Sequence, residues 1–382
     1  MECVYLDNAA TTKPFSESLD SFVRAERDSF ANPSSSHALG KESRRFIESK
    51  RRMIAEILGI DAGYYNVVFI SNATQGNEMM LQSLLKRPYG NALIGAAEHN
   101  SISENGAILK CFGRKVHRIS CPKGFADADS MIRKLDEDDR IRLVSIMQTN
   151  NVTGSISDVY SLAESAKRLR PETVFHSDCV QSLNLGIIDF HQARKSGIDA
   201  MTFSSHKSYA PKGTGLLVIR KGLLPSLSVG GGQEGGIRGG TEAVGLISAY
   251  AAALDKLFSI KSEYNARSQR LCKMFLDSIR DIPSYKVLRD GCGEYSSGIV
   301  ALCSRKLPSE VLQRILSDKG IMVSVTSACS SNAMKGSDNK LALMGYDPAI
   351  AKNTIRLSFG ISNTEDDIRR TVSALADIDK EY

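Results

Sequence analysis

Seven short runs rich in apolar and β-branched residues, at positions 67–71, 91–95, 116–120, 141–147, 173–177, 200–203 and 215–219, punctuate the first part of the chain. Between them, positions 76–85, 101–112, 129–135 and 159–169 carry apolar residues every third or fourth place. That alternation predicts an α/β fold: a mostly parallel seven-stranded sheet covered by helices. Ligands of such sheets bind beyond the carboxyl ends of the strands. Ser71, Asn150, Asn151, Asp178 and the run from Ser204 to Lys207 all fall just past predicted strand ends, so they should meet on one rim. After a glycine-rich loop at 230–240 the pattern becomes nearly continuous helix from 241 to about 279, long enough to link two domains. A smaller α/β unit follows, with strands predicted at 298–303, 321–323 and 354–358 and helices at 309–319 and 365–378.

Composition narrows the class. With 382 residues, 42% hydrophobic and 24% charged, the chain reads as globular and long enough for two domains. The apolar run 3–6 is too short for a signal peptide, and no stretch approaches the roughly 18 apolar residues of a membrane span. A soluble, cytoplasmic protein with no membrane partner is expected. The eight cysteines, at positions 3, 111, 121, 179, 272, 292, 303 and 329, form no CxxC pair and no metal-ligand spacing, so neither a disulfide framework nor a metal site is predicted. The net charge of +6 is modest. Its basic cluster, Lys41, Arg44, Arg45, Lys50, Arg51 and Arg52, is interleaved with Glu42 and Glu48 at helical spacing, which predicts a solvated helix face and no nucleic-acid partner.

Candidate chemistry sits at three places. Lys207 follows a short apolar strand and precedes a Pro/Gly turn at 210–213, a position suited to a lysine that attacks a carbonyl to form a Schiff base. Asp178 ends another apolar run. The segment from Ser71 to Glu78 leaves a strand and opens a helix, setting backbone N–H groups and the Thr74 hydroxyl where a phosphate is held. Dinucleotide and Walker glycine fingerprints are absent, which argues against a nucleotide as that phosphate ligand.

Taken in order, the segments 5–12 (YLDNAATT), 32–37 (NPSSSH), 71–74 (SNAT), 98–99 (EH), 150–151 (NN), 176–178 (HSD), 204–207 (SSHK), 230–234 (GGGQE), 238–241 (RGGT), 327–331 (SACSS) and 356–358 (RLS) resemble the cysteine desulfurases. These are pyridoxal phosphate (PLP) enzymes of the class V aminotransferase, fold-type I group. The resemblance implies a large PLP-binding domain over residues 16–255 and a smaller C-terminal domain over 256–382 that carries the catalytic cysteine loop. It also implies an N-terminal arm, residues 1–15, packed with the small domain. Carried over, Lys207 becomes the Schiff-base lysine and the base for the substrate's α-proton, and Asp178 the partner of the pyridinium nitrogen. His99 would stack on the ring and shuttle protons, and Gln181 would reach the phenolic oxygen. Asn151 would lie near that oxygen or the substrate carboxylate. Ala73 and Thr74 at the helix start, with Ser204 and His206, would contact the cofactor and its phosphate, and Thr241 would arrive from the other subunit of a homodimer. Arg356, helped by Asn32, would clamp the substrate carboxylate.

Cys329 separates a desulfurase from a transaminase. It lies in a small, polar stretch without periodicity, at 324–337, which reads as a mobile loop; the resemblance implies that its thiolate would attack the sulfur of bound L-cysteine, keep it as a persulfide and hand it on. The length of this loop resembles the branch that feeds an iron–sulfur scaffold or a thiolation carrier. Three departures are visible: Val152 where the family commonly has Glu, Ala210 where the turn usually has Gly, and Glu242-Ala243 where an Asn is frequent. Val152, beside Asn151, puts substrate fit in question. His117 and His191 read as surface or strand-edge residues. The sequence reading is therefore a homodimeric PLP-dependent desulfurase converting L-cysteine to L-alanine. A related transaminase, selenocysteine lyase or amino-acid lyase that does not use Cys329, and a catalytically quiet homologue, remain open beside it.

Overall fold

The computed structural model describes residues 3–223, 230–291, 293–326 and 339–382. The strands in chain order are β1 (Val4–Tyr5), β2 (Tyr65–Ile70), β3 (Asn91–Gly95), β4 (Val116–Ile119), β5 (Ile141–Ser145), β6 (Val174–Asp178), β7 (Ala200–Ser204), β8 (Gly215–Arg220), β9 (Tyr285–Val287), β10 (Ile299–Ser304), β11 (Ile321–Met322), β12 (Ser324–Val325) and β13 (Thr354–Ser358). Seven of them form one sheet in the order β2-β8-β7-β6-β5-β3-β4. Strand β8 runs antiparallel to both neighbours, and the other pairings are parallel. Strands β3, β6 and β7 are buried along their whole length, because helices cover both faces, and their polar residues, such as His176 and Ser177 of β6, are buried with the rest. Val67 and Phe69 enter one apolar core with Phe175, Phe203 and Tyr250; Val68 and Ile70 enter a second with Met80, Ile94 and Leu217 on the opposite face. The carboxyl ends of the parallel strands open on one rim.

The later part of the chain builds a separate core around the four-stranded antiparallel sheet β12-β13-β10-β9. Val300, Leu302, Ile355 and Leu357 meet Leu271 and Phe275 of helix Lys261–Ile279 and Ile368 and Leu375 of helix Glu365–Glu381. That last helix starts with a reciprocal capping box between Thr364 and Asp367, which satisfies two N-terminal N–H groups. Val4 and Leu6, from the start of the chain, are buried in the same core, and β1 pairs in parallel with β11.

Three expectations change in detail. The helical pattern 241–279 is two helices, Val244–Ser259 and Lys261–Ile279, broken at Ile260 (φ −111°, ψ 10°). The first buries Ile247 and Tyr250 in the large core and the second buries Leu271 and Phe275 in the other, so one straight helix does not serve both. The expected strand 141–147 stops at Ser145, because the Met147 N–H turns to the Glu98 carboxylate at 2.6 Å. The run 321–323 shortens to β11, which pairs with β1, and a separate strand just beyond it, β12, pairs with β13.

The basic cluster lies on helix Ala38–Leu58. Lys41, Arg44, Arg45 and Arg52 are exposed there, but Arg51 turns inward. Its Nη1 donates to Glu234 Oε2 at 2.7 Å and to the Val67 carbonyl at 2.6 Å, and its guanidinium lies over the Phe69 ring at 4.6 Å. Glu234, with φ +51° in the glycine-rich loop, also accepts the Phe69 N–H at 2.8 Å. The flanking Gly235 and Gly236, both at positive φ, let the loop turn tightly enough to insert that side chain. Breaking a buried pair by deleting one member leaves an uncompensated charge. Glu234→Ala should therefore cost about 3 kcal/mol in urea unfolding; a loss under about 1 kcal/mol would show that the pair carries little of the loop's anchorage.

Candidate active site

Loops after five strands converge at the rim on a cleft of about 620 Å³ lined by Asn72, Ala73 and Thr74 after β2, His99 and Ser101 after β3, Met147 and Asn151 after β5, Asp178, Val180 and Gln181 from β6 onward, and Ser204, His206 and Lys207 from β7 onward. The sequence-derived candidates Ala73, Thr74, His99, Asn151, Asp178, Gln181, Ser204, His206 and Lys207 thus come together in one place. Asn72 caps helix Ala73–Gln82 by accepting the Gln75 N–H at 3.0 Å, which sets Ala73 and Thr74 at the helix start, the positive end of its dipole.

Asp178 is the last residue of β6 and only 4% exposed. Its Oδ2 accepts Asn77 Nδ2 at 2.8 Å, and its Oδ1 accepts the Val180 N–H at 3.1 Å. On the adjacent strand, a 3-10 turn at Ser205–Lys207 follows β7. The buried Ser205 hydroxyl lies 2.6 Å from the Pro211 carbonyl and 2.8 Å from that of Thr214, closing the loop that carries the lysine. Lys207 Nζ donates to the Ala9 carbonyl, which also takes Gln181 Nε2 at 2.9 Å. Two residues on, Tyr209 has φ +59°, a conformation costly for a bulky side chain. It is held there from four sides. Its N–H donates to Thr12 Oγ1 (2.8 Å), its hydroxyl donates to Tyr264 Oη (3.1 Å) and accepts the Ile361 N–H (2.9 Å), and its ring stacks on Phe15 at 4.8 Å.

The histidines at the rim are kept neutral. Burial holds the His99 imidazole below its ordinary pKa, opposed by the Asp178 carboxylate and reinforced by the Lys207 ammonium. His206 is pushed down to about 4 by burial and by the charges of Lys207 and Lys212. Beneath the rim Glu98 is fully buried; its Oε1 accepts the Met147 N–H, its Oε2 has no partner, and desolvation raises its pKa to about 8.

Several candidates stand elsewhere. Arg356, on β13 and 8% exposed, does not line the cleft; it lies behind the rim, with Nη1 donating to the Asn151 carbonyl and Nη2 to Asp7 Oδ1, both at 2.8 Å. Asn32 is exposed, accepts the Ser34 N–H at 2.9 Å and is not among the residues that line the cleft. Thr241 is exposed and also outside the cleft of its own chain. Cys329 lies outside the described residues. Val152 does not face the cleft: Asn150 Oδ1 accepts the N–H groups of Val152 (2.9 Å) and Thr153 (3.0 Å), a turn that leaves Asn151 on the cleft and buries Val152 among Ala97, Cys121 and Met344. His117 pairs with Asp138 on edge strand β4 at 2.7 Å, and His191 is exposed. Asn77, Ser101 and Glu98 carried no assignment in the sequence reading. Their signal was a polar residue on the inward side of a short segment, indistinguishable there from a cap or a turn.

The chain belongs to the class-V aminotransferases: the family model described as "Aminotransferase class-V" matches residues 4–371. Within the family it stands with the NifS- and IscS-like cysteine desulfurase homologues. It is 32% identical to a "NifS/IcsS protein homolog" of Lactobacillus delbrueckii subsp. bulgaricus, over 98% of this chain and 97% of that one. It is 30% identical to a "Putative cysteine desulfurase IscS 1" of Bacillus subtilis, over 100% of this chain and 99% of the relative. A solved structure titled "NIFS-LIKE PROTEIN" matches with a TM-score of 0.89 at 26% identity, covering 100% of both chains.

The His206 environment has a measurable sign. An unfolded histidine takes its proton near 6.5, whereas folded His206 waits until about 4, so this residue withdraws stability progressively as pH falls from about 6.5 to about 4. Imidazole resonances of the protein should show His206 titrating near 4; a midpoint near 6.5 would contradict the burial described.

Proposed function

We propose that this enzyme is a PLP-dependent cysteine desulfurase that converts L-cysteine to L-alanine and leaves the sulfur on Cys329. The observation that carries the reading is the meeting of Lys207 and Asp178, from the ends of two paired strands, in one cleft with His99. The residues present fit the cofactor. A primary amine stands ready for its aldehyde, a buried and doubly hydrogen-bonded carboxylate suits a ring N–H⁺, and a helix start with Thr74, Ser204 and His206 suits a phosphate. When bound, PLP supplies a protonated ring that accepts the electron pair of the substrate's Cα–H bond. Lys207, released from the Ala9 carbonyl, removes and returns the α-proton. Asp178 keeps the ring nitrogen protonated, and the Asn77 and Val180 donors hold that carboxylate in place. Gln181 and Asn151 border the cleft where a phenolic oxygen or a substrate carboxylate is recognised.

Arg356 is already oriented by Asp7 and the Asn151 carbonyl. In this reading Arg356, which stands behind the cleft-lining Asn151, leaves these partners to clamp the carboxylate of an arriving substrate with help from Asn32, and Thr241 reaches the phosphate site of a partner copy in a homodimer. Residues 1–15 act as an arm, 16–255 as the PLP-binding domain and 256–382 as the small domain with the cysteine loop. The sulfur step balances as L-cysteine plus the Cys329 thiol giving L-alanine plus the Cys329 persulfide. Burial raises the pKa of Cys121 to about 11 and raises those of Cys179, Cys272 and Cys303 as well. Those four are thus poor nucleophiles at neutral pH, and among the described residues no cysteine lines the cleft. An iron–sulfur scaffold or a thiolation carrier receives the sulfur, in the cytoplasm; among the described residues no helix is long and apolar enough to cross a membrane.

L-Cysteine added to the purified protein with a thiol reductant should yield sulfide and alanine in equal amounts. Cys329→Ala should keep the bound cofactor and its response to L-cysteine while sulfide and alanine formation falls by orders of magnitude. Near-normal turnover in that variant would leave the cofactor site standing and overturn the desulfurase mechanism.

A further inference from the structure

One chain of hydrogen bonds joins the two sides of the cleft beneath its floor. Asn77, on helix Ala73–Gln82, is fully buried, and its Nδ2 donates to Asp178 Oδ2 and to Ser101 Oγ, each at 2.8 Å. Ser101 Oγ lies 2.9 Å from His99 Nδ1, and the Ser101 N–H donates to the same nitrogen at 3.1 Å. The direction of every bond follows from the first. An ionised carboxylate only accepts, so the Asn77 group facing it is the NH₂; the amide oxygen in that place would be repelled. Both Asn77 hydrogens are then used. Ser101 Oγ accepts one of them, which leaves its single hydrogen for His99 Nδ1. Nδ1 receives donors from both the hydroxyl and the backbone of Ser101, so it carries no proton.

We infer that Asn77 and Ser101 transmit the acceptor-only character of Asp178 to His99 and lock its imidazole in the neutral tautomer with the proton on Nε2. The inference rests on the proposed reading for its consequence, because it divides the labour of the cleft. An Nε2–H has no lone pair to take a proton, so resting His99 offers the cleft a hydrogen-bond donor, and the α-proton falls to Lys207 alone. A proton-shuttling role would require protonation at Nδ1, which displaces both Ser101 donors and places a charge in a desolvated site. The charged groups facing the ring are Asp178 at the end of β6, Lys207 beyond β7, Lys340 of the short helix Lys340–Leu343 and Glu104 of the ring's own helix Asn100–Cys111. The two acids favour the imidazolium and the two lysines oppose it, so these charges do not by themselves select a nitrogen. Asn77 and Ser101 are positioning residues here.

The test reads the proton and not the turnover. In the full chain labelled with ¹⁵N at histidine, long-range ¹H–¹⁵N spectra recorded well above the titration range should show His99, identified by its absence in His99→Gln, with an unprotonated Nδ1 and a protonated Nε2. Ser101→Ala keeps the backbone donor and loses the hydroxyl; its His99 should titrate at higher pH than in the parent and show mixed tautomers. Ser101→Thr, which restores a hydroxyl, should return both signals toward the parent. A parent protein with the proton on Nδ1 or a mixture of tautomers, or a Ser101→Ala protein with unaltered tautomer and titration, would overturn the inference. If Ser101→Ala fails to fold, the parent spectrum alone decides. A protein that lacks cysteine turnover yet shows the Nε2–H signature would refute the proposed function and leave the lock intact, and the converse result would do the reverse.

Discussion

The segment from Val4 to Thr12 is the strap on which the geometry of the cleft depends. It begins in one core and ends at the other's active rim. β1 pairs with β11, Asp7 binds Arg356, and Asn8 Nδ2 donates to the Ser358 carbonyl at 2.9 Å while the Ala9 N–H donates to Ser358 Oγ at 2.8 Å. A few atoms later the same segment holds the loop after β7: the Ala9 carbonyl takes Lys207 and Gln181, and the Thr12 N–H donates to the His206 carbonyl at 2.8 Å. Gly360 permits the close approach, since a Cβ there would collide with Asn8 Oδ1. The strand bearing Arg356 and the loop bearing Lys207 are thereby fixed to one short piece of backbone, and Tyr209, bonded to both Thr12 and Ile361, closes the same circuit a second time.

Within that frame the electrostatics are sparing. Asp178 and Lys207 are the charged pair of the cleft, while the neighbouring His99, His206 and Glu98 are all driven toward their neutral forms by burial. With those three neutral, Asp178 and Lys207 are the charged side chains that line the cleft itself, a setting in which a carboxylate keeps a bound ring protonated. The buried carboxylate is affordable only because Asn77 and the Val180 N–H satisfy it.

The architecture was legible in the sequence because buried strands and half-buried helices space their apolar residues differently: strand 91–95 and helix 159–169 are found with the bounds that the pattern implies. The rim residues followed from the same logic, since a polar residue ending an apolar run has few places to go but the sheet's edge. What the pattern does not carry is the third dimension of a loop. Arg356 sits behind Asn151 and not on the cleft, and Val152 is turned into an apolar cluster by the Asn150 side chain; both facts depend on contacts between segments far apart in sequence. Asn77 and Ser101 were invisible for a related reason, because a polar side chain in a helix's first turns is read as exposed unless its partner across the sheet is known. The inward turn of Arg51 escaped similarly: its acceptor, Glu234, lies far along the chain in the glycine-rich loop.

The central claim is that Lys207 is the amine to which the cofactor joins. Reduction of the PLP-loaded protein with borohydride, followed by proteolysis and mass mapping, tests it most directly. The account predicts a pyridoxyl group on the peptide containing Lys207, and no borohydride-stable attachment in Lys207→Ala. A pyridoxyl group on any other lysine, or stable attachment that survives in Lys207→Ala, would contradict it.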